Sequence, residues 1–122
     1  MKYMFITYLD EKAWLSLSEA EQQQMMAECT PHVEHLMASG KFLAGAPLHP
    51  TATGATVRLQ KGKPLITDGP FAETREQVGG YTLIEAKDLN EAICIAAGFL
   101  GTRSPSIIEV RQVMEMKGIP SH

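Results

Sequence analysis

From Asp68 to Tyr81 the chain reads DGPFAETREQVGGY, and several residue types in this stretch could do chemistry. A carboxylate at Asp68 can accept a proton or orient a ligand. Behind it, Gly69 permits a backbone angle that other residues resist, and Pro70 stiffens the exit. Arg75 offers a planar fork of donors to an acidic ligand. Tyr81 follows the Gly79–Gly80 pair, from where its hydroxyl can reach the same space as Asp68. His32, in an earlier helical stretch, is the candidate general base beside Asp68, because imidazole as a group titrates near neutral pH. Asp68, His32 and Tyr81 therefore form the candidate catalytic set. Gly69, Pro70, Phe71, Arg75, Gly79, Gly80 and Arg111 are the candidate ligand-binding residues.

Each of these also has a plain structural account. Asp68 can cap a short helical turn formed by FAETREQ, a role Asp performs well. Glu73, Arg75 and Glu76 can pair on a solvated turn. Phe71 can plug the core. The Gly79–Gly80 pair marks a bulge or a close backbone approach, whether by a strand, a second copy of the chain or a ligand. Arg111 can be an outward charge on a strand. Glu28, His32 and His35 share a helix flank at metal-binding spacing, but such triples arise easily on a polar flank. No metal and no cofactor are expected. His49, before Pro50, could line a pocket rim, and His122 lies in the tail.

The elements that must position these residues read clearly. Lys2 to Leu9 is rich in β-type residues with both alternating faces apolar, so a central strand covered on both sides is expected. Ser18 with Glu21 makes a capping box for a helix running to Gly40. Met25, Met26, Cys29, Val33, Leu36 and Met37 fall on one stripe of it. That stripe keeps its phase across Pro31, which predicts one kinked helix rather than two. KFLAGAP is a short strand. ATVRLQ alternates with Val57 and Leu59 inward, and KGK turns it into a partner strand, PLIT. GGYTLIEA is the next strand. Asp88 and Glu91 cap a helix ending at Gly101, and SIIEVRQVMEM is the last strand, with Ile108, Val110 and Met114 on one side.

Two helices in a mostly antiparallel sheet suggest an α+β, ferredoxin-like layout with both helices on one face. The other face is also apolar, which calls for an association surface. A homodimer with its two sheets packed face to face is expected.

The 122 residues fit one domain, 1–115, with a polar tail over 116–122. A net charge of −3 and the absence of a Lys/Arg cluster argue against nucleic acid or an anionic membrane as partner. Cys29 and Cys94 match no metal or redox spacing, which suits a reducing compartment. The apolar run at the N-terminus is too short for a signal-peptide core, and a cytoplasmic location is expected.

DGPFAETREQVGGYTLIEAKDLNEA (residues 68–92) resembles the signature of the DGPF-domain proteins of the YCII-related group. MKYMFITYLDE and IEVRQVME resemble the same family's terminal strands, so the resemblance covers about residues 1–115. It implies a ferredoxin-like subunit of a dimeric α/β barrel. It also implies a cofactor-free small-molecule enzyme, a lyase, isomerase or hydrolase using acid–base chemistry at Asp68. The alternative is a non-catalytic metabolite-binding or regulatory module with a regulatory protein partner, linked to sigma-factor-dependent transcription. The wider group's helical histidine falls nearest Cys29 here, and His32 lies three residues on. Its His–Asp pair therefore does not carry over directly.

Overall fold

A computed structural model of the chain describes residues 1–100 and 107–118. The first strand, β1 (Lys2–Asp10), forms where sequence pattern puts it, and it is central. It pairs antiparallel with β5 (Glu76–Glu85) on one side and with β6 (Ile107–Gln112) on the other. Outside β5 lies β2 (Phe42–Pro47), giving a four-stranded antiparallel sheet of order β2-β5-β1-β6. This is the strand order of a ferredoxin-like α+β fold. A hairpin of β3 (Ala55–Gln60) and β4 (Lys63–Asp68) is inserted between β2 and β5 as a separate two-stranded sheet.

The alternation of β1 sorts the core. Tyr3 and Phe5 point to the helix-covered face and are 2% and 1% exposed. Ile84 from β5 sits opposite Tyr3 and is fully buried. Against them pack Leu36 of α3 (Thr30–Ala38) and Ala92, Ile95 and Ala96 of α4 (Leu89–Ala97). Phe99 closes on Phe5 edge to face, with ring centroids 6.0 Å apart. Asp88 starts α4 as expected, accepting the Glu91 amide at 2.8 Å.

Met4, Ile6 and Tyr8 alternate to the opposite face, where they meet Leu83, Tyr81 and Val78 in register. No helix of the described residues packs there, so within the chain helices cover β1 on one side. The helix α4 ends at Ala97 with Gly98 as its cap; Gly101, the expected stop, lies outside the described residues, as does His122.

Two other expectations are corrected, and one element is added. The long helix is two, α2 (Glu19–Ala27) and α3, with Pro31 in the first turn of the second. A proline there loses nothing, because first-turn amides have no intrahelical acceptor. Cys29 keeps helical angles (φ −86°, ψ −12°), which explains why the apolar phase carries across the break. A short helix, α1 (Glu11–Leu15), precedes them and was not anticipated. In the hairpin, Val57 and Leu59 face outward, 65% and 76% exposed, because the ribbon stands off the main sheet. Ile66 is opposite Val57 and equally open, so one face of the ribbon is apolar and uncovered.

Candidate functional site

At the end of β1 the chain turns directly into α1. Asp10 caps that helix, its Oδ1 accepting the Ala13 amide at 3.2 Å. Its other oxygen, Oδ2, accepts Arg75 Nε at 3.1 Å. The Ala13 amide first, and then the Arg75 bond, hold the Asp10 carboxyl below the usual carboxylate range. Next to it, Glu11 grips the 3₁₀ turn Thr51–Thr53: Thr51 donates its amide at 3.1 Å and its hydroxyl at 2.6 Å to the two carboxylate oxygens.

Across from α1 runs the connection from β4 to β5. Gly69 takes φ +81°, which only glycine adopts without strain. Its amide donates to Gly54 O at 2.8 Å, and its carbonyl accepts Thr56 Oγ1 at 2.7 Å. Residues 71–75 form no helix. They are pinned instead by Gln77 Nε2, which donates to the carbonyls of Ala72 (2.9 Å) and Thr74 (3.2 Å), and by Thr74 Oγ1, which donates to Glu76 O at 2.6 Å. The polar residues of this long bend thus replace a backbone ladder that the bend does not have.

Between these walls lies a cleft of about 1000 Å³. Asp10, Glu11, Lys12, Thr51, Asp68, Glu73 and Arg75 supply its polar groups. Asp68 ends β4 and is exposed, and its carboxylate has no hydrogen-bond partner among the described residues. It caps no helical turn, since none forms after it.

Of the sequence candidates, Asp68, Gly69, Pro70 and Arg75 line this cleft together. Phe71 does not, and it is not a core plug either: it is 80% exposed. Gly79 is the extra residue of a bulge, where the β1 register shifts between Thr7 and Tyr8. A Cβ on Gly79 would overlap the Leu9 side chain, and one on Gly80 would stand 3.1 Å from Ala46 O. The glycine pair therefore answers to a side chain and a neighbouring strand. Tyr81 projects from β5 on the open sheet face, opposite Ile6 and Ala46. Arg111 lies opposite Met4 on β6, exposed on the same face.

His32 is not beside Asp68. It packs on α4, with Nε2 at 2.9 Å from Ile95 O and its ring edge-on to Phe99 at 4.7 Å. Facing a carbonyl, Nε2 is the donor. Cys29 makes a parallel latch, its thiol donating to Phe99 O at 3.3 Å, and burial pushes that thiol's pKa up. Both residues tie α3 to α4, a structural task. On the open face, Tyr8 Oη donates to Glu109 Oε1 at 3.0 Å, and that bond to a carboxylate raises the phenol.

No group of three or more His, Cys, Asp or Glu is arranged to hold a metal ion among the described residues. Asp10, Glu11, Lys12 and Thr51 were missed in the sequence. The faint signal was LDEK followed by Trp14, an Asp cap with an acidic first turn, too short to show periodicity.

The fold and the cleft define a ferredoxin-like subunit with a polar pocket at one end of its sheet. The chain belongs to the YCII-related family, whose domain matches residues 1–117. It is also 35% identical over 106 residues to "Uncharacterized protein R00369" of Rhizobium meliloti (strain 1021), covering 87% of this chain and 85% of that protein. No helix of the described residues is long and apolar enough to cross a membrane.

Proposed function

We propose that the chain binds a small polar metabolite in the cleft between α1 and the bend after β4, with Asp68 as the engaging carboxylate. One observation carries this reading: Asp68 stands at the cleft wall with no partner among the described residues, while Asp10 and Glu11 beside it are tied up. A carboxylate left free in a concave site is available to a ligand's donor group. Acid–base catalysis by the same group is compatible with this, since a free carboxylate can take a proton from bound substrate. Among the described residues neither an imidazole nor a phenol lines the cleft, and binding is the role proposed.

A thermal-shift screen of metabolites against wild type and Asp68→Asn tests the proposal. A ligand at about 100 times its Kd stabilises by about 2.7 kcal/mol, which such a screen resolves easily. Hits are expected to lose most of their shift in Asp68→Asn. Hits indifferent to that change would place the ligand elsewhere.

The subunit is proposed to work as a twofold dimer with open sheet faces together. The support is the sheet face carrying Met4, Ile6 and Tyr81, on which no helix of the described residues packs. On β6, Glu109 and Arg111 flank these residues with opposite charges, as a self-complementary interface requires. Ile6→Glu is expected to leave a monomer in sedimentation at micromolar concentration. A wild-type monomer under the same conditions refutes the dimer.

A further inference from the structure

Resting on the Asp68 reading and extending it, we infer that the site continues into a second, apolar cavity and takes an amphipathic amine. The cationic head lies in the cleft, and an apolar body about the size of one aromatic ring lies beyond Glu11.

The second cavity is about 470 Å³, with walls supplied mainly by Leu9, Trp14, Met26, Leu48 and Val78, and with Gln22 and His49 beside Glu11 as its polar lining. Glu11 lines both spaces, so they meet at one side chain. Pro50 belongs to the apolar cavity and its neighbour Thr51 to the cleft, which puts a second junction beside the first. At that junction Thr51 donates to both oxygens of Glu11. On the Trp14 wall, Gln22 Nε2 donates to Trp14 O at 2.9 Å and anchors α1 to α2. Gly79 lines the cavity and leaves Leu9 its room there, since any side chain at that position would strike it.

The charge of the head follows from the cleft's own pairing. Among the described residues four carboxylates line it, Asp10, Glu11, Asp68 and Glu73, against two cations, Lys12 and Arg75. Arg75 is engaged by Asp10. Asp68 and Glu73 are left without partners among the described residues, facing Lys12 alone. An incoming carboxylate would meet net repulsion, whereas an ammonium group would meet attraction and donate to Asp68. An apolar cavity joined to a few polar groups is the usual anatomy of a small-molecule site.

Trp14 is the chain's single tryptophan, so its emission reports on the apolar cavity alone. The full chain would be titrated with phenylethylamine, phenylpropionate and methylamine, with Trp14 emission and the thermal midpoint followed together. Phenylethylamine is expected to bind about tenfold or more tighter than either control, equivalent to about 1.4 kcal/mol, and to shift the emission. Asp68→Asn should weaken it by a similar factor, and Leu48→Gln should abolish its advantage over methylamine. Tighter binding of phenylpropionate overturns the inferred head. An emission shift with affinity unchanged in Asp68→Asn overturns the joining of the two spaces. Methylamine equalling phenylethylamine, dependent on Asp68 and silent at Trp14, overturns the extension while leaving the Asp68 cleft standing.

Discussion

Replacing Gly79 by Ala tests the claim that this glycine answers to a side chain. Gly79 has no positive φ, so the backbone itself would accept alanine. The obstacle is Leu9: the added Cβ would overlap Leu9 Cδ2 and stand 2.9 Å from its Cγ. Leu9 must then leave its rotamer or push the bulge apart, and such overpacking costs about 1–3 kcal/mol. Alanine returns about 0.4–1 kcal/mol by narrowing the unfolded ensemble, so a net loss of roughly 0.5–2 kcal/mol is expected. The diagnostic is a double-mutant cycle. In a Leu9→Ala background the collision is gone, and Gly79→Ala should become neutral or slightly stabilising, giving a coupling of about 1–3 kcal/mol. Urea unfolding at one fixed protein concentration measures all four proteins, with m-values compared to check that the unfolded state has not changed. Equal costs in both backgrounds would refute the reasoning, since the glycine would then be required by something other than Leu9.

Two further outcomes follow from the same geometry. His32→Leu should destabilise by about 0.5–1.5 kcal/mol, because it removes one of two donors to the Ile95 carbonyl, which keeps the Gly98 amide, while Asp68-dependent binding is unchanged; lost binding with intact stability would make His32 a site residue after all. Asp10→Asn should cost stability near neutral pH but progressively less in acid. A carboxyl held below its ordinary value of 3.8 contributes above its unfolded pKa, and that contribution disappears as pH falls through the lowered folded value. A wild-type advantage that persists unchanged through the acid range would show that the Ala13 and Arg75 bonds do not act through the charged carboxylate.

Where local pattern and burial agree, the sequence was readable. The alternation of β1, the Ser18–Glu21 capping box and the Asp88 cap all appear as expected. Failures came where periodicity did not report burial. Val57 and Leu59 alternate like core residues, yet the hairpin carrying them pairs only with itself in the sheet topology. At Pro31 the apolar phase continued because Glu28 and Cys29 keep helical angles while the helix breaks. Half of the cleft was legible: Asp68, Gly69, Pro70 and Arg75 come from one contiguous segment. The other half is contributed by α1 and the Thr51 turn, which only the tertiary fold brings to that segment. His32 misled because helical angle places a residue on a flank without saying whether a carbonyl of the next helix waits there.

The same contrast bears on how the cleft would respond to a ligand. None of its lining residues belongs to the hydrophobic core, which is built from one sheet face, α3 and α4. Its walls are held by side-chain hydrogen bonds: Thr51 to Glu11, Thr56 to Gly69, and Gln77 to the carbonyls of Ala72 and Thr74. Each of these is partly or wholly exposed, so none is reinforced by the low dielectric of an interior. Segments held this way open locally at much lower cost than the sheet does. A ligand that bridges Asp68 and α1 would therefore tighten the bend and the Thr51 turn first. Slowed amide exchange over residues 51–54 and 69–75, with the β1–β5 ladder unaffected, is the pattern that separates occupancy of this cleft from general stabilisation of the fold.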